Sequence, residues 1–351
     1  MMSSMFHFDL KIKIKRIFAW ILAINFALTA ASCLGETRSK SPVEAHGMLR
    51  VENGKLVDGH GDCIQLRGMS VCDLISSFEF VTDEVADTLI NDWGCTVIRL
   101  PVTVHSLDNG YAYFPERYYE ELCTYADVLI EYGCYVIIDW FNNHDGNPLT
   151  YQNEAVDFFT RISERYGENP HIIYEINNEP HGDDVTWSGT VKPYALSVIE
   201  AIRSNDPDNI IIVDTADTST DISSVINDPI ECENLMYSFH FYAGTHGQKL
   251  RDEIQVAIDN GIPLFCTQWA TSYTNKTGGV FEQSTIEWIE FLNSNNISWC
   301  NWSIGSGHVE SSNALRLYSN RFTVEQKRAG HWPDEMLSES GLLVRSLIQD
   351  D

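Results

Sequence analysis

Apolar and polar positions follow two rhythms that take turns along this chain. Short, nearly unbroken apolar runs occupy 63–69 (CIQLRGM), 95–102 (CTVIRLPV), 135–140 (YVIIDW), 172–176 (IIYEI), 209–215 (NIIIVDT), 235–242 (LMYSFHFY), 263–269 (PLFCTQW) and 298–303 (SWCNWS). Their length and β-branched or aromatic content predict strands covered on both faces. Between them, 116–132, 152–166, 192–205, 247–260 and 280–293 carry apolar residues at spacings of three and four, the stripe of an amphipathic helix. Gly or Asn closes several of these stretches, at Tyr132-Gly133, Asn260-Gly261 and Asn295-Asn296. Eight strands alternating with helices predict an α/β fold, and the count of eight favours a closed (β/α)8 TIM barrel over an open sheet. Ahead of the barrel, Leu49–Val57 holds Asn53-Gly54 between short apolar alternations and predicts a β-hairpin.

Barrels of this kind work at the C-terminal ends of their strands. Those positions read Ser70–Asp73, Arg99, Asp139-Trp140, Asn178-Glu179, Asp214–Asp217, His240–Tyr242, Gln268-Trp269 and Trp302. Flat rings suit pyranose faces, and amides, His and Arg suit hydroxyls. In 172–180 (IIYEINNEP), Pro180 cannot extend a ladder, which leaves Asn178 and Glu179 at the strand edge. A carboxyl group there is a candidate general acid/base, and equally a plain strand-ending turn. No Gly-rich phosphate loop follows any strand.

Composition narrows the partners. Lys+Arg 23 against Asp+Glu 50, a net charge of −27, argues against nucleic acid and anionic membranes, which call for basic patches. The N-terminus departs from this balance. Lys11, Lys13, Lys15 and Arg16 precede the apolar run Ile17–Ala31 and small residues at Ala30-Ala31-Ser32, which predicts a secretory signal over 1–33. The remainder, 34–351, is expected to be one secreted, extracellular, monomeric barrel domain with no membrane attachment after signal removal. Cysteines 63, 72, 95, 123, 134, 232, 266 and 300 show no metal spacing, and neither do His105, His144, His171, His181, His240, His246, His308 and His331, so no metal or organic cofactor is expected. Asn275, Asn296 and Asn301 head sequons, of which Asn301 falls in a predicted strand.

From about Val43 to Ile348 the chain resembles the bacterial-type endo-β-1,4-glucanases (cellulases) of glycoside hydrolase family 5. The resemblance rests on LRGMS (66–70), DWGCTVIRLPV (92–102), YVIIDWFNNHDGNP (135–148), RYGENPHIIYEINNEP (165–180), MYSFHFYAGTHGQKLRDEI (236–254), LFCTQWATS (264–272) and ISWCNWS (297–303). It implies retaining hydrolysis by two carboxyl groups about 5 Å apart, at the ends of the fourth and seventh barrel strands. Glu179 matches the acid/base. The nucleophile motif of the family reads Thr-Glu-Trp-Gly-Thr-Ser, and here Thr267 is followed by Gln268 where the Glu belongs. Arg99, Asn178, His240, Tyr242, Trp269 and Trp302 match substrate-binding positions. Other family positions have changed: Val71-Cys72-Asp73 replaces Thr-His-Gly, Phe141 replaces a His, Ser76 and Thr218 stand where Trp is expected, and Ser306-Gly307-His308-Val309 replaces Asp-Lys-Asn-Glu.

A carboxamide is a weak nucleophile and carries no charge to offer an oxocarbenium-like transition state. It also supplies none of the like-charge repulsion that keeps an acid partner protonated. A loss on the order of 10⁴-fold is expected. The resemblance therefore implies a cellulase-family protein that acts on or binds β-1,4-glucan or another polysaccharide, with hydrolysis lost or severely impaired. Two alternatives stay open: an active endoglucanase that uses another carboxylate, with Asp73, Asp214 and Asp217 as candidates, and a non-enzymatic barrel scaffold.

Overall fold

Eight parallel strands close on themselves, following chain order around the ring with the last beside the first. The computed structural model describes residues 40–73, 80–142, 145–305, 310–316 and 322–350. The signal-like segment 1–33, Ser76, His144 and Ser306-Gly307-His308-Val309 lie outside the described residues. The barrel strands are β3 (Arg67–Val71), β4 (Val97–Thr103), β5 (Tyr135–Phe141), β6 (Ile172–Glu175), β7 (Ile211–Asp214), β8 (Leu235–Tyr242), β9 (Leu264–Ala270) and β10 (Trp299–Ile304). The expected hairpin precedes them as β1 (Arg50–Glu52) and β2 (Lys55–Val57), paired antiparallel. Asn53 and Gly54 both have positive φ, as a two-residue hairpin turn with the right twist requires.

The period of two along each strand sorts the core into layers. Val97, Tyr135, Ile137, Ile173, Ile212, Met236, Phe265 and Cys300 fill the barrel and meet Leu49, Leu56, Ile64 and Leu66 below it. Their neighbours Ile98, Leu100, Val136, Ile138, Tyr174, Val213, Phe239 and Phe241 face outward, where the helices Pro115–Glu131, Gln152–Tyr166, Lys192–Arg203, Gln248–Asp259 and Glu282–Ser294 cover them. Gly133, Gly261 and Asn296 end three of those helices in the left-handed region, as the cap residues predict.

The first barrel strand begins later than 63–69 predicts. Cys63 bridges antiparallel to Val57, and Ile64 and Leu66 plug the bottom of the barrel, so β3 starts at Arg67. At Gly68 the backbone of β4 comes so close that a Cβ would sit 1.7 Å from the Val97 carbonyl oxygen. Helical turns at 83–92 and the C-terminal helix Glu339–Gln349 have no counterpart in the predicted elements. Cys95, Cys123, Cys134, Cys266 and Cys300 are buried free thiols, and Asn301 is buried with its amide donating to the Trp269 carbonyl.

Candidate active site

Above the apolar filling, the inward positions turn polar while staying buried: Arg99, Asp139, Glu175, Asp214 and His240. The turn after β6 is fastened to the end of β7. The Asn177 amide donates to the Asp214 carbonyl, and its oxygen accepts the Asp214 N–H, both at 3.1 Å. Glu179 follows in the left-handed region at φ 46, a conformation that costs a non-glycine residue on the order of 1 kcal/mol. Its N–H donates to Asp214 Oδ2 at 3.0 Å, and Ser219 donates to the same oxygen at 2.7 Å. The strained turn thus aims the Glu179 carboxyl, 15% exposed, into the mouth.

Arg99 anchors the floor. Its Nε and Nη2 meet both oxygens of Glu175 at 2.6 and 3.0 Å, Nη2 donates to Asn178 Oδ1 at 2.7 Å, and Asp139 lies 2.9 Å away. One cation shared among buried carboxylates leaves them short of compensation. Burial pushes the Glu175 carboxyl up to about 7, although the Arg99 charge opposes the rise, and burial raises Asp139 as well. His240 bridges to the catalytic turn, with Nδ1 3.0 Å from Glu179 Oε1 and Nε2 2.9 Å from Thr267 Oγ1 and 3.3 Å from Asp214. Burial alone would lower His240, but Asp214 and Glu179 outweigh it and hold the imidazole above its ordinary value. Glu175, Asp214 and His240 offer ligand atoms within 4.8 Å of one another. Arg99, the Glu179 N–H and Thr267 already engage them, so the cluster is built around a protein cation rather than a metal.

Gln268 reaches this group through a bulge. Between β8 partners Ser238 and His240, β9 advances from Phe265 to Gln268, and between β10 partners Trp299 and Asn301 it advances from Cys266 to Trp269. One extra residue in β9 therefore turns both Thr267 and Gln268 inward. The Gln268 amide donates to Glu179 Oε1 at 2.8 Å and to Tyr242 Oη at 3.2 Å, and its oxygen accepts from Arg99 Nη1 at 3.3 Å. The amide dipole is oriented from a carboxylate to a guanidinium, and its oxygen is turned away from the opening.

Most sequence-predicted site residues converge here: Arg99, Asn178, Glu179, His240, Tyr242 and Gln268. Trp269 does not. The same bulge turns it outward, fully buried and stacked on Phe241 at 5.5 Å, so its role is packing beneath the helices rather than sugar binding. Trp302 points inward at the end of β10, but it is 5% exposed and stacks on Phe141, ring centroids 5.5 Å apart and 14° from parallel. Lys276 Nζ lies over the same indole at 5.7 Å. Asp214 is spent on the Glu179 turn and is no replacement base, and Asp217 sits exposed on a left-handed turn beyond it. A cleft of about 500 Å³ opens between the loops after β7 and β8, with Asp217, Asp221, His246 and Lys249 in its walls. Sequence reasoning missed Glu175. The available signal was its place two residues after Ile173 on the inward face of an otherwise apolar strand.

The profile of cellulase (glycosyl hydrolase family 5) matches residues 57–308. Endoglucanase 5 of Pectobacterium carotovorum is 41% identical over 313 residues, covering 89% of this chain and 59% of that protein. Endoglucanase A of Evansella cellulosilytica is 41% identical over 83% of this chain and 57% of its own length. The chain thus spans about three fifths of these relatives. Among solved structures, cellulase Cel5C_n superposes with a TM-score of 0.83 at 35% identity, covering 90% of this chain and 95% of that one. The Thermobifida fusca endoglucanase catalytic domain, in a Glu-to-Gln variant complexed with cellotetraose, gives 0.82 at 30% identity, covering 89% of this chain and all of that one. With the barrel closed and the profile spanning most of it, the chain belongs to the cellulase family, glycosyl hydrolase family 5.

Proposed function

We propose that this protein recognises β-1,4-glucan and has lost, or nearly lost, the power to hydrolyse it. The observation that carries the reading is the 2.8 Å hydrogen bond from the Gln268 amide to Glu179. Retaining hydrolysis needs a second carboxylate about 5 Å from the acid/base, with a free oxygen aimed at the anomeric carbon. Gln268 instead holds a neutral donor against Glu179 and presents its one acceptor to Arg99. The neighbouring carboxylates are committed elsewhere: Glu175 and Asp139 to Arg99, and Asp214 to the catalytic turn. That commitment weighs against an active enzyme using another carboxylate.

The test is hydrolysis of carboxymethylcellulose and an aryl cellobioside. The native protein is expected to release sugar at least about 10⁴-fold more slowly than active members of the family. Clear turnover by the native protein that disappears in Glu179→Ala would overturn the reading. The basic and apolar pattern over 11–31 supports export, with the barrel acting outside the cell as a monomer. Protein recovered from the culture medium is then expected to lack residues 1–33 by intact mass. A full-length chain retained with the cells would refute export.

A further inference from the structure

Phe141 and Trp302 come from strands that β3 and β4 separate in the barrel, yet their rings meet across that half of the mouth. Both lie on inward positions at the C-terminal ends of their strands, above Arg99. Stacked on Phe141 and with the Lys276 ammonium over its ring, Trp302 is 5% exposed, and Phe141 is 9% exposed. A pyranose needs an open aromatic face to stack on, and neither ring offers one. Across the barrel from this pair, the 500 Å³ cleft between the loops after β7 and β8 is open, and its Asp217 wall joins the Glu179 turn where the Thr218 N–H donates to the Pro180 carbonyl at 3.0 Å. The two halves of the centre therefore differ in access.

We propose that Phe141 is a specificity-determining residue that closes the Trp302 half of the centre, so that a glucan chain engages this protein only from the β7–β8 side of Glu179. The contact is apolar on both partners. A sugar competing for Trp302 must first remove a ring already held by stacking. The choice of probe rests on the β-glucan reading above; the closure itself does not.

Two measurements test the proposal. Hydroxyl-radical footprinting read by mass spectrometry reports the access of Trp302 without any ligand. Its oxidation is expected to rise at least fivefold in Phe141→Ala, and in Phe141→His should the first variant fold poorly. Titration with cellotetraose then asks what the opening does. Native protein and Trp302→Phe are expected to bind alike, whereas Phe141→Ala gains at least tenfold in affinity, a gain lost in Phe141→Ala/Trp302→Phe. The proposal is overturned if Trp302 is already oxidised readily in the native protein. It is overturned equally if Trp302→Phe weakens native binding, or if opening the stack brings no Trp302-dependent gain. Hydrolysis by the native protein would refute the loss of activity proposed above and leave the footprinting result standing.

Discussion

Glu175 shows how one residue sets the electrical balance of the whole centre. Its carboxyl is fully buried against Arg99, and burial lifts it to about 7 from an ordinary 4.5. A carboxyl raised on folding takes up a proton as the chain folds, so its contribution favours the folded state most below about pH 4.5 and fades as pH climbs toward 7. His240 acts in the same direction. An imidazole held above its ordinary value stabilises the fold below about 6.5, and that stability is lost as pH rises through its folded value. The urea midpoint is therefore expected to fall between about pH 5 and about pH 7.5, with each fully coupled proton worth up to about 1.4 kcal/mol per pH unit. Glu175→Gln, which keeps the shape of the protonated carboxyl but cannot ionise, should flatten the decline, so that its stability relative to native improves as pH rises from about 5 to about 7.5. An unchanged slope in that variant would show that Glu175 is not the group responsible. Glu179 was legible in the sequence because it follows an apolar run that Pro180 stops, and Arg99 and His240 because they fall in motifs of the resembled family, although both lie inside their strands. Glu175 was hidden inside its run, and only the inward phase it shares with Ile173 marked it.

At the scale of elements, the strand rhythm carried the barrel and the cap residues carried the helix ends. The start of β3 was misplaced for a physical reason. An apolar run reads the same whether it pairs in a sheet or plugs the barrel floor, and Ile64 and Leu66 do the latter. The turns over 83–92 carry Val85, Ala86, Leu89 and Ile90 at helical spacing behind a Thr82 cap, so this element was readable and was missed. What Gly68 does was invisible, because the demand comes from Val97 across the β3–β4 pair. Gly68→Ala is expected to destabilise the protein by at least about 3 kcal/mol in urea unfolding, since its Cβ would overlap backbone that cannot give way. Gly247→Ala, which meets nothing within 4 Å, serves as the control and should stay within about 1 kcal/mol of native. Equal effects at the two sites would show that the close approach of the strands is not what holds Gly68.

Across the whole molecule, closure brings together residues that no local pattern relates. Phe141 and Trp302 are separated by more than half the barrel's chain, and the Gln268–Glu179 hydrogen bond joins the turn after β6 to β9. The identity of each residue was readable beforehand, but not that an aromatic pair would shut one half of the mouth while the other stayed open. The same holds for Trp269, whose position in a recognisable motif suggested the site while its phase in the strand sent it outward. That phase has a consequence for anyone who reshapes this barrel. The extra residue in β9 is a spare tooth in the ladder: taking out Thr267 would restore one-for-one pairing with both neighbours while Gln268 stays opposite His240 and Trp269 stays outward, and the loss would fall on His240, whose Nε2 would be left without its hydroxyl partner.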